Sequence, residues 1–121
     1  DSPEATDQFL QMVAEFQPTA CCCFDDLLAV WVARACHKQG ISIPDEMSIV
    51  GVDDYGLAAH FWPPLTTVHL DLDEVGRVAF RMLNGLIEAD CLAGGGEIIP
   101  GHLVERASTK APSQKRAGAI A

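Results

Sequence analysis

Positive charge is scarce in this chain. Eight Lys and Arg stand against 17 Asp and Glu, a net charge of −9 with His neutral. So acidic a surface is a poor match for a polyanion, so this segment alone is not expected to grip DNA or RNA. Long apolar runs are also missing. No stretch approaches the roughly 18 residues that a membrane helix needs, so no membrane partner is expected. Neither an initiator Met nor a basic-then-apolar leader precedes Asp1-Ser2-Pro3-Glu4, and the chain is expected to be the interior of a longer protein. Catalytic and metal signatures are absent as well. There is no H-E-x-x-H, no C-x-x-C and no phosphate-binding G-x-G-x-x-G or G-K-[ST]. Ser42 and Ser48 lack a nucleophile elbow, and His37, His60, His69 and His102 are scattered. Gly94-Gly95-Gly96 opens no helix and reads as a flexible turn. No catalytic residue, metal or cofactor is expected, and the chain is not expected to be an enzyme.

What is present suits one core. The chain has 121 residues, 49% of them apolar and 21% charged, enough for one domain or part of one. It carries five Cys, an odd count that argues against a complete disulfide framework. Cys21, Cys22 and Cys23 are consecutive in a strand-like run. Neighbouring strand residues point to opposite faces, so the three cannot converge on one tetrahedral metal. They are read as small buried hydrophobes, and free thiols fit a reducing cytoplasm. Residues 109–121 contain Lys110, Lys115 and Arg116 but no acid, and they read as a disordered basic tail.

Periodicity places the elements. Residues 3–16 predict a helix, with Ser2 as cap and Phe9, Met12, Val13 and Phe16 on one face. Residues 19–24 predict a buried strand. A second helix then runs to Gln39, capped by Asp25 or Asp26 and ended by Gly40. It is apolar nearly all round, which implies packing on two sides. Residues 48–52 predict another buried strand, so the order is strand, helix, strand and the sheet is at least partly parallel. A short helix at 57–61, an extended segment at 65–70, a long helix at 71–89 and short strands at 98–99 and 102–105 follow.

In parallel α/β sheets, ligands bind beyond the carboxyl ends of the strands. Asp25, Asp26, Asp53 and Asp54 all fall at such ends. They can cap helices, hold a hard cation, or accept hydrogen bonds from a polyhydroxylated ligand. Spacing does not separate the last two.

The order of motifs is more specific. Pro18-Thr19-Ala20, Phe24-Asp25-Asp26-Leu27-Leu28-Ala29 and Ser48-Ile49-Val50-Gly51-Val52-Asp53-Asp54 come in turn. Pro63-Pro64-Leu65-Thr66-Thr67-Val68 and Leu103-Val104-Glu105-Arg106-Ala107-Ser108-Thr109 complete the series. This resembles the C-terminal part of the effector-binding domain of the lactose-repressor/galactose-repressor (LacI/GalR) family of transcription regulators. The resemblance implies an α/β, periplasmic-binding-protein-like fold with a mostly parallel, Rossmann-like sheet flanked by helices. Two such subdomains would enclose a ligand, and this chain would hold an incomplete share. Residues 1–70 would be the C-terminal subdomain, 71–93 a helix crossing to the N-terminal one, and 94–108 the return. The crossing helix at 73–89 would have lost its sheet and be exposed, displaced or packed on another chain.

The resemblance also implies roles. Asp53 and Asp25 would contact a small-molecule effector, a sugar or related metabolite. Asp26 and Asp54 would be structural. Val30, Trp31, Arg34, Leu57, His60, Phe61 and Trp62 would form a homodimer interface. Thr67, Val68, His69, Leu70 and Asp71, with residues 93–97, would be the hinge. Operator DNA would be bound through a helix-turn-helix outside this chain, in the cytoplasm. Leu70 replaces a residue that is polar in many sugar-binding relatives, and Asp25 stands where Asn is usual, so the effector stays open. A sugar-binding protein of a transport system shares the fold. A phosphoacceptor receiver domain would use Asp53 but needs a later Lys, and none stands between Lys38 and Lys110.

Overall fold

The computed structural model describes residues 3–89 and 95–112. The elements run α1 (Pro3–Phe16), β1 (Ala20–Cys22), α2 (Asp26–Lys38), β2 (Ser48–Asp53), α3 (Gly56–His60), β3 (Thr66–His69), α4 (Leu72–Ala89) and β4 (His102–Val104). The four strands form one sheet in the order β1-β2-β3-β4. β1, β2 and β3 are parallel, and β4 returns antiparallel to β3.

α2 begins and ends on local chemistry. Asp25 is extended, and its carboxylate accepts from the Leu28 N–H at 2.6 Å, the first-turn bond of an N-cap. At the other end Gly40 adopts φ +72°, a conformation that suits a residue without a Cβ. Its N–H reaches the His37 carbonyl, and the Ile41 N–H reaches that of Cys36. These two bonds make a Schellman motif and satisfy the last carbonyls of the helix.

Register decides what α2 covers. Cys21 stands beside Ile49, and Gly51 beside Thr67. Ile49 and Thr67 are fully buried, as are Ala29 and Cys36 of α2, with Val32 and Ala33 buried beside them. Each large aliphatic side chain buried this way contributes about 1.5–3 kcal/mol. Trp31 extends the core outward, with its ring edge-on to Phe9 of α1 at 5.9 Å. α2 thus has the two packed sides its composition implied, although Leu27 and Leu28 remain exposed. The opposite sheet face carries Cys22, Val50, Val52, Val68 and Leu103. Cys22 and Leu103 on it are exposed.

α4 behaves differently. Among its described side chains only Val78 is buried, while Leu72, Val75, Phe80, Leu83 and Ile87 face solvent. The exposure implied for this helix is what the structure has.

Several expectations are corrected. The first strand stops at Cys22, and Phe24 leaves the sheet and is exposed. Cys22 is therefore not a buried hydrophobe: it sits on the less covered face. Ile98 and Ile99 form no strand, because Pro100 lacks an N–H for the ladder and Ile98 is solvated. Thr109 and Lys110 do not belong to a loose tail. The Ser48 hydroxyl bonds both the N–H and the C=O of Lys110, the Thr109 and Thr66 hydroxyls meet at 3.1 Å, and Lys110 pairs with Asp45. Ser2, Cys91, Ala93, Gly94 and residues 113–121 lie outside the described residues. No described helix is long and apolar enough to cross a membrane.

Candidate ligand site at the carboxyl edge of the sheet

The four aspartates gather at the carboxyl ends of β1 and β2, and each adjacent pair divides its work. Asp26 is fully buried. Its carboxylate accepts from the Thr67 hydroxyl at 2.6 Å and from the Tyr55 N–H at 2.9 Å. This one side chain ties α2 to β3 and to the loop after β2. It also explains Gly51, where an added Cβ would lie 2.2 Å from Asp26 Oδ1. Asp54 is equally committed. Its Oδ1 accepts from Arg106 at 2.7 Å, and its Oδ2 meets His69 Nδ1 at 3.2 Å. Burial pushes the Asp54 carboxyl up, but hydrogen bonds and positive charge from Arg106 and His69 outweigh it and hold it below the usual carboxylate range.

The other member of each pair is left available. Asp25 spends one oxygen on the Leu28 N–H. Asp53 makes no side-chain hydrogen bond to any described residue, although it is half-buried. Its backbone is unusual: φ is +103° at Asp53 and +56° at Asp54. Non-glycine residues held in this region cost of order 1–3 kcal/mol and cluster at sites where the chain must present a side chain. Two acceptor carboxylates therefore stand on neighbouring parallel strand ends, with no described cation attached. No group of three or more potential metal ligands exists among the described residues.

The residues expected to form a hinge fall on both sides of the sheet boundary. Thr67, Val68 and His69 belong to β3, paired with Val104, Leu103 and His102. Only Leu70 and Asp71 lie between β3 and α4, and Asp71 accepts from the Glu74 N–H to start the helix. Of the expected second hinge segment at 93–97, Gly95, Gly96 and Glu97 are irregular and exposed.

The supposed interface residues form two groups. Val30, Trp31 and Arg34 line an open groove of about 470 Å³ together with Asp25, Leu27 and Leu28. Leu57, His60 and Trp62 are exposed on and after α3, and Trp62 is 89% accessible. Phe61 instead packs in part against the core, as Trp31 does.

Sequence reading missed two positioning residues. Ser108 is fully buried, donates to the Ile49 carbonyl at 2.6 Å and accepts from the Thr66 N–H at 2.8 Å. Arg106 binds Asp54 and the Leu65 carbonyl. The Arg-Ala-Ser-Thr run carried them, but nothing local told which distant groups they would meet.

A family model described as a periplasmic binding protein-like domain matches residues 2–109. The chain belongs to this family. The HTH-type transcriptional repressor PurR of Vibrio atlanticus (strain LGP32) is 43% identical over 65% of the chain and 23% of that protein. The arabinose metabolism transcriptional repressor of Geobacillus stearothermophilus is 39% identical over 88% of the chain and 30% of that protein. Among solved structures, a dimeric Lac repressor with an 11-residue C-terminal deletion superposes with a TM-score of 0.78 at 31% identity. That match covers 89% of the chain and 40% of the repressor. The chain thus corresponds to part of the effector domain of LacI-type repressors and spans only about a quarter to two fifths of these relatives. The relatives are transcription repressors, not enzymes.

Proposed function

We propose that this chain is the ligand-sensing and dimerising portion of a LacI-type repressor that acts in the cytoplasm. One observation carries the reading. Of four aspartates at the carboxyl edge, Asp26 and Asp54 are consumed by internal partners, while Asp53 and one oxygen of Asp25 are not. Ionised carboxylates are pure acceptors and suit the hydroxyls of a sugar or related polyol. They would repel a phosphorylated one.

In this reading residues 1–70 and 94–108 belong to the C-terminal subdomain. Helix α4 crosses toward the N-terminal subdomain, and the connections at 67–71 and 93–97 are the hinge. Movement concentrates at Leu70 and Asp71, because Thr67 to His69 are held in the sheet. The effector must bind one hinge state better than the other, since equal affinity shifts nothing. Operator DNA is contacted by a helix-turn-helix outside this chain. Two copies join through Val30, Trp31, Arg34, Leu57, His60, Phe61 and Trp62, and exposed Trp62 is the natural anchor.

A thermal-shift screen of the chain against pentoses, hexoses, polyols and nucleobases tests the reading. Ligand at 100 times its Kd stabilises by about 2.7 kcal/mol, a readily visible rise in Tm. Asp53→Asn and Asp25→Asn are the controls, because Asn tolerates positive φ at 53 and keeps the cap at 25. Each is expected to weaken a sugar at least about tenfold, or 1.4 kcal/mol. A stabilising ligand insensitive to both changes would place binding elsewhere. Sedimentation velocity tests the pairing: Trp62→Ser is expected to yield monomers from a wild-type dimer.

A further inference from the structure

Strand β1 carries a second piece of chemistry that effector binding does not use. Cys21 and Cys23 are two positions apart on an edge strand and its first outgoing residue, so their side chains share a face. Their sulfurs lie 3.9 Å apart, within thiol hydrogen-bond reach. Cys21 is half-buried and Cys23 buried, while Cys22 lies on the other face and is exposed. The arrangement is asymmetric. The hydrogen bond from Cys23 lowers the Cys21 thiol to about 7, against the upward push of burial. The same bond, with burial and the nearby negative charge, pushes Cys23 far up, so Cys23 keeps its proton. Cys36, in the same core cluster, is raised to about 11, chiefly by burial, and stays inert. One sulfur is thus a partly exposed nucleophile, and its neighbour is a protonated thiol in contact with it.

We propose that Cys21 and Cys23 are a redox pair that closes into an intrachain disulfide when a hydroperoxide oxidises Cys21. In the first step the Cys21 thiolate attacks one peroxide oxygen. An S–O bond forms, the O–O bond breaks, and hydroxide leaves and takes up a proton, giving Cys21 sulfenic acid and, from hydrogen peroxide, water. In the second step Cys23 sulfur attacks Cys21 sulfur. The S–S bond forms, the S–O bond breaks, and the departing hydroxide takes the Cys23 proton as a second water. Two thiols lose two electrons, and the peroxide gains them. Two residues of extended chain separate Cα atoms by about 6.6 Å, close to the upper end of what a disulfide tolerates. The bridge is therefore strained and easily reduced, which suits a reversible modification more than a structural staple.

The test is made on the reduced 121-residue chain, treated at neutral pH with a small molar excess of hydrogen peroxide and followed by intact mass and peptide mapping. The expected result is a single-chain mass lower by two hydrogens, with Cys21 linked to Cys23 within one chain, restored by dithiothreitol. Cys22→Ser and Cys91→Ser should leave the bridge unchanged. Cys23→Ser should trap Cys21 as a sulfenic acid that dimedone labels. A second measurement needs no variant at the buried position: in the native chain, iodoacetamide should alkylate Cys21 about tenfold faster than Cys22 near pH 7. A bridge through Cys22 or Cys91, a link between chains, or equal alkylation of Cys21 and Cys22 would overturn the proposal.

Discussion

Helices α2 and α4 are both capped by an aspartate, and yet they sit in opposite surroundings. α2 buries Asp26, Ala29, Val32, Ala33, Ala35 and Cys36, and its first residue is bonded to β3 and to the segment after β2. α4 is the longer helix, 18 residues against 13, yet Val78 is its one buried side chain among those described. A helix forms from its own spacing and caps, but whether it is buried depends on a sheet that the sequence must supply elsewhere. β1, β2 and β3 supply that sheet for α2. α4 has no such cover and presents Leu72, Val75, Phe80, Leu83 and Ile87 to water.

The contrast is open to attack at its strongest point first. Asp26→Ala leaves the Tyr55 N–H and the Thr67 hydroxyl without their acceptor in a fully buried setting. It is expected to cost about 2–4 kcal/mol in urea unfolding. Asp26→Asn, which keeps an acceptor oxygen, should cost about half as much. A loss under 1 kcal/mol would mean that α2 is not held as described.

Arg106→Ala comes next. It removes a charge-assisted bond to Asp54 and a bond to the Leu65 carbonyl, and is expected to cost about 2 kcal/mol. The pH dependence has a definite sign. The folded pKa of Asp54 is depressed, so its contribution is fully present above the unfolded carboxylate value of about 3.9 and is lost as pH falls toward the folded one. Asp54→Asn should therefore lower stability at neutral pH and flatten the acid limb of the stability curve below about pH 4. An unchanged acid limb would remove Asp54 from the network.

The smallest effect belongs to α4. Phe80→Ser and Leu83→Ser are expected to change stability by less than about 0.5 kcal/mol, since neither side chain is buried. The pair should also reduce binding of an apolar dye. A loss above 2 kcal/mol would show that this face is covered in solution.

The two helices also mark how far the sequence could be read. Both, and the βαβ order between them, were legible because caps, periodicity and the Gly40 stop are local. The carboxyl-edge aspartates were legible as a cluster for the same reason. Which of them were available was not. The partners of Asp26 are Thr67 and Tyr55, and those of Asp54 are Arg106 and His69, all brought in by the fold. Trp31 and Phe61 show the same limit: an aromatic on an apolar face reads alike whether it meets Phe9, the core or a second subunit. Ile98 and Ile99 had strand-forming side chains, but Pro100 and Gly101 follow them. The backbone of Gly101 instead approaches His69 so closely that a Cβ would lie 2.9 Å from its carbonyl oxygen.

The most direct measurement is a two-dimensional amide NMR titration of the chain with whichever ligand raises its Tm. If Asp53 and Asp25 hold the effector, the perturbed resonances will cluster at Phe24 to Leu28 and at Val52 to Tyr55, with α4 nearly silent. Perturbations confined to α4, or spread evenly along the chain, would contradict a ligand site at the carboxyl edge of the sheet.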